Sequence, residues 1–177
     1  MIARSVKKLE DVVDLSLLNV SMGSEGWYWN NTDERSPRSD PADPVQGFST
    51  LRQVYRATNP DYSGKFSVPV LFDKIDKKIA CNESSDLLRI FNEWGQGNGS
   101  PDLYPAELRD DIDATNEWTY SQVNNGMYAA GFASVQSEYS KHAPGVFEAF
   151  QRADDILAKK QFLCGSGEGV LTEADIR

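Results

Sequence analysis

A mixed α/β half followed by an all-helical half is the fold class that the sequence predicts. Short apolar runs alternate with helical segments as far as Trp94. Gly95–Pro101 (GQGNGSP) then carries the strongest linker signal in the chain, three glycines and a proline among small polar residues. Beyond it Leu108, Ile112, Thr115, Thr119, Val123 and Met127 step by three and four, the spacing of one helix face. The expected domains are therefore residues 1–97 and 101–177.

Composition bounds the function. The chain has 177 residues, 40% hydrophobic and 25% charged, enough apolar material for a core in one domain or two small ones. Its 18 Lys and Arg against 27 Asp and Glu give a charge of −9. That balance argues against nucleic acid and anionic membranes, whose phosphates need clustered cations. No apolar run approaches the roughly 18 residues of a membrane span, and MIARSVKKLEDVV carries no apolar core of a secretory signal. Two cysteines, Cys81 and Cys164, and one histidine leave no disulfide framework and no zinc set, so no metal is expected and a reducing cytoplasm is the simplest compartment.

The elements follow in order. Ile2, Val6, Leu9, Val12 and Val13 predict a short amphipathic helix over 2–13, and the apolar run Leu15–Val20 a buried strand. Residues 22–47 read as a long loop, which in compact domains is usually functional, and it carries Gly26-Trp27-Tyr28-Trp29. A helix is expected over Ser49–Ala57, capped by Ser49, and a strand over Phe66–Phe72. A charged turn (Asp73–Lys78), a short strand (Ile79–Cys81) and a helix over Glu83–Trp94 come next. In the second half the long periodic segment is weakened at Asn124-Asn125-Gly126. Pro144-Gly145 is expected to interrupt the following helix, and Phe147, Phe150, Ala153, Ile156 and Leu157 mark a further helical face. Thr172 and Asp175 have the spacing of a capping box at a helix start.

Two places could carry chemistry. If the proline of Val68-Pro69-Val70 is cis, the Val68 backbone turns away from the sheet and is free to pair with an extended peptide. Local sequence favours the alternative, a trans proline on an edge strand. Glu83-Ser84 opens an apolar helix, whose first turn attracts a carboxylate. A ligand with a free α-amino acid end could set its carboxylate on Ser84 and its ammonium near Glu83, whereas local reading favours simple capping by Asn82 or Ser84. His142 reads as a surface residue, Cys164 as buried packing and Cys81 as a structural cysteine.

The ordered whole says more. A Val-Pro-Val strand, a hairpin, Glu-Ser opening a helix, a linker and a helical half together resemble the glutathione transferase fold, a thioredoxin-like domain followed by a helical one. The chain is most similar to the glutathionyl-hydroquinone reductases, xi-class relatives of the omega-class transferases. The resemblance rests on Gly26-Trp27, Asn59-Pro60-Asp61-Tyr62-Ser63-Gly64, Val68-Pro69-Val70-Leu71-Phe72-Asp73-Lys74 and Asn82-Glu83-Ser84-Ser85. In the second half it rests on Leu103-Tyr104-Pro105, Asn124-Asn125-Gly126, Tyr128, Gly131-Phe132-Ala133 and Thr172-Glu173-Ala174-Asp175-Ile176-Arg177.

The resemblance implies a cis Pro69, with the Val68 backbone paired to the cysteinyl part of glutathione. It implies Glu83 and Ser84 on the γ-glutamyl end, Trp27 walling that site, and Tyr128 lining a pocket for an aromatic, quinone-type substrate. Glutathione is then the co-substrate, and the complete protein a homodimer. The family reaction is attack of a cysteine thiolate on the sulfur of a glutathionyl-hydroquinone. The family nucleophile sits in a Cys-Pro-Trp-Ala-like motif ahead of the first helix, for which these residues have no counterpart, so no catalytic residue is expected within the chain. By the same resemblance the chain is expected to lack the first strand of the thioredoxin-like domain and the later helices. The rival reading is a non-catalytic transferase-like module that binds glutathione or protein.

Overall fold

The computed structural model describes all 177 residues. They form two compact units, one of Met1 with Leu9–Ile90 and the other of Ile2–Lys8 with Phe91–Arg177.

In the first unit the regular elements are helix α2 (Leu51–Thr58) and a hairpin of β1 (Leu71–Asp73) and β2 (Lys78–Cys81). Helix α3 (Ser84–Trp94) begins here and runs across the division. The strands pair antiparallel, Phe72 opposite Ile79 and Asp73 opposite Lys78, with a bulge between Leu71 and Phe72. Asp73 closes the turn by accepting the N–H groups of Ile75 and Asp76 at 2.8 and 2.9 Å. Helix α2 packs on β2, where the Thr58 hydroxyl accepts the Ile79 N–H at 3.1 Å. Its N-terminus is Thr50 rather than Ser49. The Gln53 side chain reaches back to accept both backbone N–H groups at 3.0 Å, which satisfies donors that a helix start leaves unpaired. The core is Trp29, Leu51, Val54 and Tyr55, with Trp27, Phe66, Val70, Phe72 and Ile79 packed around it.

Two predicted strands are corrected. Leu15–Val20 is not a strand, and both end residues are exposed. Its backbone is satisfied by the long loop instead: Leu17 N–H donates to the Asp40 carboxylate at 2.8 Å and Val20 N–H to the Ser36 hydroxyl at 2.7 Å. The strand expected over Phe66–Phe72 is reduced to β1. Val68–Pro69 is a cis peptide, proline has no N–H for a ladder, and the carbonyls of Ser67 and Pro69 are taken by a side chain described below.

The second unit holds α1 (Ile2–Val6), α4 (Arg109–Trp118), α5 (Asn125–Gly131) and α6 (Gln136–Leu157), with a π-helical turn at Thr119–Asn124. Helix α1 is shorter than the predicted 2–13 because Lys8 adopts φ 53°, which a helix cannot continue. The buried Lys7 ammonium donates to Asn92 at 3.0 Å and to the Pro101 carbonyl. Burial holds that ammonium below the ordinary lysine range. The periodic segment after Leu108 is not one helix. The π turn widens it, and Asn125 and Gly126 open α5 rather than ending a helix.

Pro144 does not interrupt α6, which continues through it. The lost N–H lies on an exposed side of the helix, while Ala143, Val146 and Ala149 are buried, so packing outweighs the missing bond. A Cβ on Gly126 would stand 3.0 Å from Val146 Cγ2, so glycine permits the close approach of α5 to α6. The face expected from Phe147, Phe150 and Leu157 is the exposed one. At the end of the chain Glu173–Asp175 forms a single 3₁₀ turn. The Asp175 carboxylate accepts Thr172 N–H at 2.9 Å and Leu163 N–H at 2.8 Å, so the predicted capping pair forms.

Candidate functional site

The residues that sequence singled out in the first unit are Trp27, Val68, Pro69, Glu83 and Ser84. Val68 is exposed, and neither its N–H nor its C=O makes a hydrogen bond within the chain. Both neighbouring carbonyls are anchored. Asn82 Nδ2 donates to Ser67 O at 3.0 Å and to Pro69 O at 2.7 Å, and Asn82 Oδ1 accepts the Ser67 hydroxyl at 3.1 Å. The buried Tyr55 hydroxyl donates to the same Ser67 carbonyl at 2.8 Å.

Asn82 therefore does not cap α3, and neither does Ser84. The cap is Glu83. Its carbonyl accepts the Leu87 N–H at 3.0 Å, and its Oε1 accepts Ser85 N–H at 3.3 Å and Ser85 Oγ at 3.1 Å. Glu83 Oε2 has no partner within the chain, and the N–H and hydroxyl of Ser84, the first helical residue, have none either. The end of α3 thus offers one free carboxylate oxygen and two free donors on adjacent exposed residues. That set matches the ammonium and carboxylate of one α-amino acid end. Asn82, next in sequence to Glu83, ties this helix end to the segment carrying Val68.

Trp27 is half-buried on the core cluster, and its carbonyl accepts the Leu51 N–H at 2.9 Å. Tyr128 belongs to the second unit, on α5. It is 69% exposed and stacks on Phe132 with ring centroids 6.0 Å apart and planes 2° from parallel. Two surface hollows are lined elsewhere, one by Arg152, Asp155 and Lys160 and the other by Gly23, Tyr28 and Asn30.

The two cysteines differ in access. Cys164 is fully buried with Ile112 and Ala174, and its thiol meets the Thr115 hydroxyl at 3.6 Å. Burial pushes that thiol above the ordinary range and keeps it protonated. Cys81 is half-buried at the end of β2 and donates to the Glu83 carbonyl at 3.6 Å. A brief treatment with iodoacetamide under native conditions is expected to alkylate Cys81 and spare Cys164, read by peptide mass spectrometry. Equal labelling of both would contradict the packing around Cys164.

No protein-family model matches the chain. Over its full length it is 37% identical to glutathionyl-hydroquinone reductase PcpF of Sphingobium chlorophenolicum and 38% identical to YqjG of Escherichia coli, of the same name. Among solved structures, glutathione transferase Xi 1 of Trametes versicolor aligns with 99% of the chain at a TM-score of 0.88 and 42% identity. Over its whole length the chain is similar to the xi-class glutathione transferases. It spans about half the length of the curated relatives it matches, 55% of PcpF and 52% of YqjG, and 60% of the Trametes chain. The glutathione-bound structure of YqjG also aligns with 99% of this chain, at a TM-score of 0.89. The expected fold class holds on this footing: a thioredoxin-like unit with a small antiparallel sheet, then a partial helical domain. No helix is long and apolar enough to cross a membrane.

The site feature that sequence reading missed is the direction of Asn82. Its one signal was position, directly between β2 and Glu-Ser, and that position fits a helix cap equally well.

Proposed function

We propose that this chain carries the glutathione-recognition elements of a glutathionyl-hydroquinone reductase. The observation that supports this most is the unpaired set at the start of α3, Glu83 Oε2 with Ser84 N–H and Oγ. Glu83 takes the α-ammonium of the γ-glutamyl residue, and Ser84 takes its α-carboxylate. The Val68 N–H and C=O, unpaired within the chain, take the cysteinyl backbone by strand-like pairing. Trp27 walls the glutathione site and Tyr128 meets the aromatic ring of the substrate. In the whole protein the assembly is a homodimer.

The reaction begins when a cysteine thiolate attacks the sulfur of the glutathionyl-hydroquinone. A disulfide bond forms as the bond from sulfur to the ring carbon breaks. The electron pair goes to the ring carbon, which takes a proton, so hydroquinone is released and the two sulfurs are oxidised. A second glutathione thiolate then attacks the mixed disulfide, freeing the enzyme thiolate and leaving glutathione disulfide.

Neither cysteine of this chain suits the first step. Cys164 is buried and protonated, and Cys81 lies on β2 with its thiol turned to the Glu83 carbonyl. The 177-residue chain is therefore expected to bind reduced glutathione weakly and saturably by calorimetry, and to show no turnover of a glutathionyl-hydroquinone. Absence of binding would overturn the site. Turnover that is lost in Cys81→Ser would overturn the assignment of the cysteines. A non-catalytic binding module is the second reading, favoured by the surroundings of the two cysteines. It predicts binding with no turnover in a full-length version as well.

A further inference from the structure

We infer that Asn82 is a positioning residue for the peptide backbone of the ligand, acting through Val68. The inference rests on the glutathione reading given above and names the residue that prepares the site for it. The Asn82 amide uses both of its N–H groups on the carbonyls flanking Val68, at 3.0 Å to Ser67 and 2.7 Å to Pro69. Its oxygen accepts the Ser67 hydroxyl at 3.1 Å, so the side chain is held from both ends. The Tyr55 hydroxyl, rooted in the core, braces the Ser67 carbonyl from α2 at 2.8 Å.

The consequence lies at Val68 itself. Its two neighbours have their carbonyls drawn to the protein, while its own N–H and C=O have no partner there. A free segment would lose conformational freedom when it pairs with a ligand strand. Here that ordering is made in advance by side chains, and preorganisation of this kind raises affinity by removing a cost of binding. The chemistry is specific to an amide. Aspartate at this position has the same shape but presents a carboxylate to two carbonyl oxygens. Alanine leaves both carbonyls without this donor. Because Glu83 follows Asn82 directly, the same residue sets the spacing between the backbone site and the amino-acid site.

The test uses the 177-residue chain with reduced glutathione as the probe, in wild type, Asn82→Ala, Asn82→Asp, Ser67→Ala and Glu83→Gln. Affinity is measured by calorimetry below the melting point of every variant. The ¹⁵N order parameter of Val68 is measured without ligand. Asn82→Ala and Asn82→Asp are expected to weaken binding about tenfold, the effect of losing a pair of neutral hydrogen bonds. Ser67→Ala, which keeps both bonds from the amide to the carbonyls, is expected to lose less than about threefold. The Val68 order parameter is expected to drop from the rigid range near about 0.85 towards about 0.6 in the Asn82 variants, and to stay high in Glu83→Gln. If the alanine variant does not fold, the isosteric aspartate variant carries the comparison. Asn82 variants with wild-type affinity, beside a weakened Glu83→Gln, overturn this inference and leave the glutathione reading standing. A wild-type chain that binds no glutathione overturns that reading, and this inference with it.

Discussion

Replacing Tyr55 by alanine is expected to cost the first unit about 3–5 kcal/mol, the range for deleting a buried aromatic ring. Tyr55 is 4% exposed on α2, and its ring lies 4.9 Å from that of Tyr62 and 5.5 Å edge-on from that of Phe66. Truncation opens a cavity beside Tyr62 and Phe66 and removes one of the two donors to the Ser67 carbonyl. A domain stable by only about 5–15 kcal/mol has little to spare against such a loss. Tyr55→Phe keeps the ring and loses the hydrogen bond, at about 1 kcal/mol. Urea unfolding followed by tryptophan fluorescence separates the three proteins, and an alanine variant within about 1 kcal/mol of wild type would contradict the packing. The two tyrosine variants also differ from wild type in alkali. Burial raises the phenol of Tyr55 above the ordinary tyrosine value of 10.0. Above that pH the unfolded chain ionises first, so wild-type stability falls as pH rises towards the folded value. Tyr55→Phe should lack this component of the slope.

The second large effect is on binding. Glu83→Gln is expected to weaken glutathione binding about tenfold while leaving the melting temperature nearly unchanged. The two halves of this prediction come from the two oxygens of one carboxylate. Oε1 accepts the Ser85 N–H and hydroxyl, and a glutamine oxygen can do the same, so the helix cap survives. Oε2 is free for the ligand ammonium, and there a neutral amide cannot replace the charge. Glu83→Ala should lose comparable affinity and in addition about 1 kcal/mol of stability, because the cap goes too. Equal affinity in all three proteins would show that the ammonium of the ligand is held elsewhere. Loss of stability in the glutamine variant would show that the charge, not the acceptor, caps α3.

How far sequence reaches is clear from particular residues. The hairpin around Asp73–Lys78, helix α3 and the Thr172–Asp175 cap were all legible, because each depends on residues within a few positions of one another. Leu15–Val20 was not. Its apolar pattern suits a strand, but the partners that settle its backbone are the side chains of Ser36 and Asp40, 16 and 23 residues away. Pro144 misled for a related reason. The local rule counts one lost hydrogen bond, whereas α6 is held by Ala143, Val146 and Ala149 and by a glycine on α5 that lets the helices close.

The site shows the same division. Val68, Pro69, Glu83 and Ser84 stand out in short motifs, but local reading favours plainer roles for them, and their glutathione roles come from the resemblance and the proposal built on it. The cis state of Pro69 could not be read locally, where a trans edge proline fits as well. The cap of α3 is Glu83 rather than the expected Asn82 or Ser84, because the asparagine amide is drawn to two carbonyls that the chain turn at Val68 brings to it. Tyr128 is assigned by family resemblance alone. What the structure adds is its exposed stack on Phe132.

The most direct test of the account is a residue-resolved NMR titration of the ¹⁵N-labelled 177-residue chain with reduced glutathione. Saturable shifts are expected at the backbone amides of Val68, Glu83 and Ser84, and at the Trp27 indole, all following one binding curve. Shifts confined to the helices of the second unit, or none at concentrations that saturate a weak site, would contradict it.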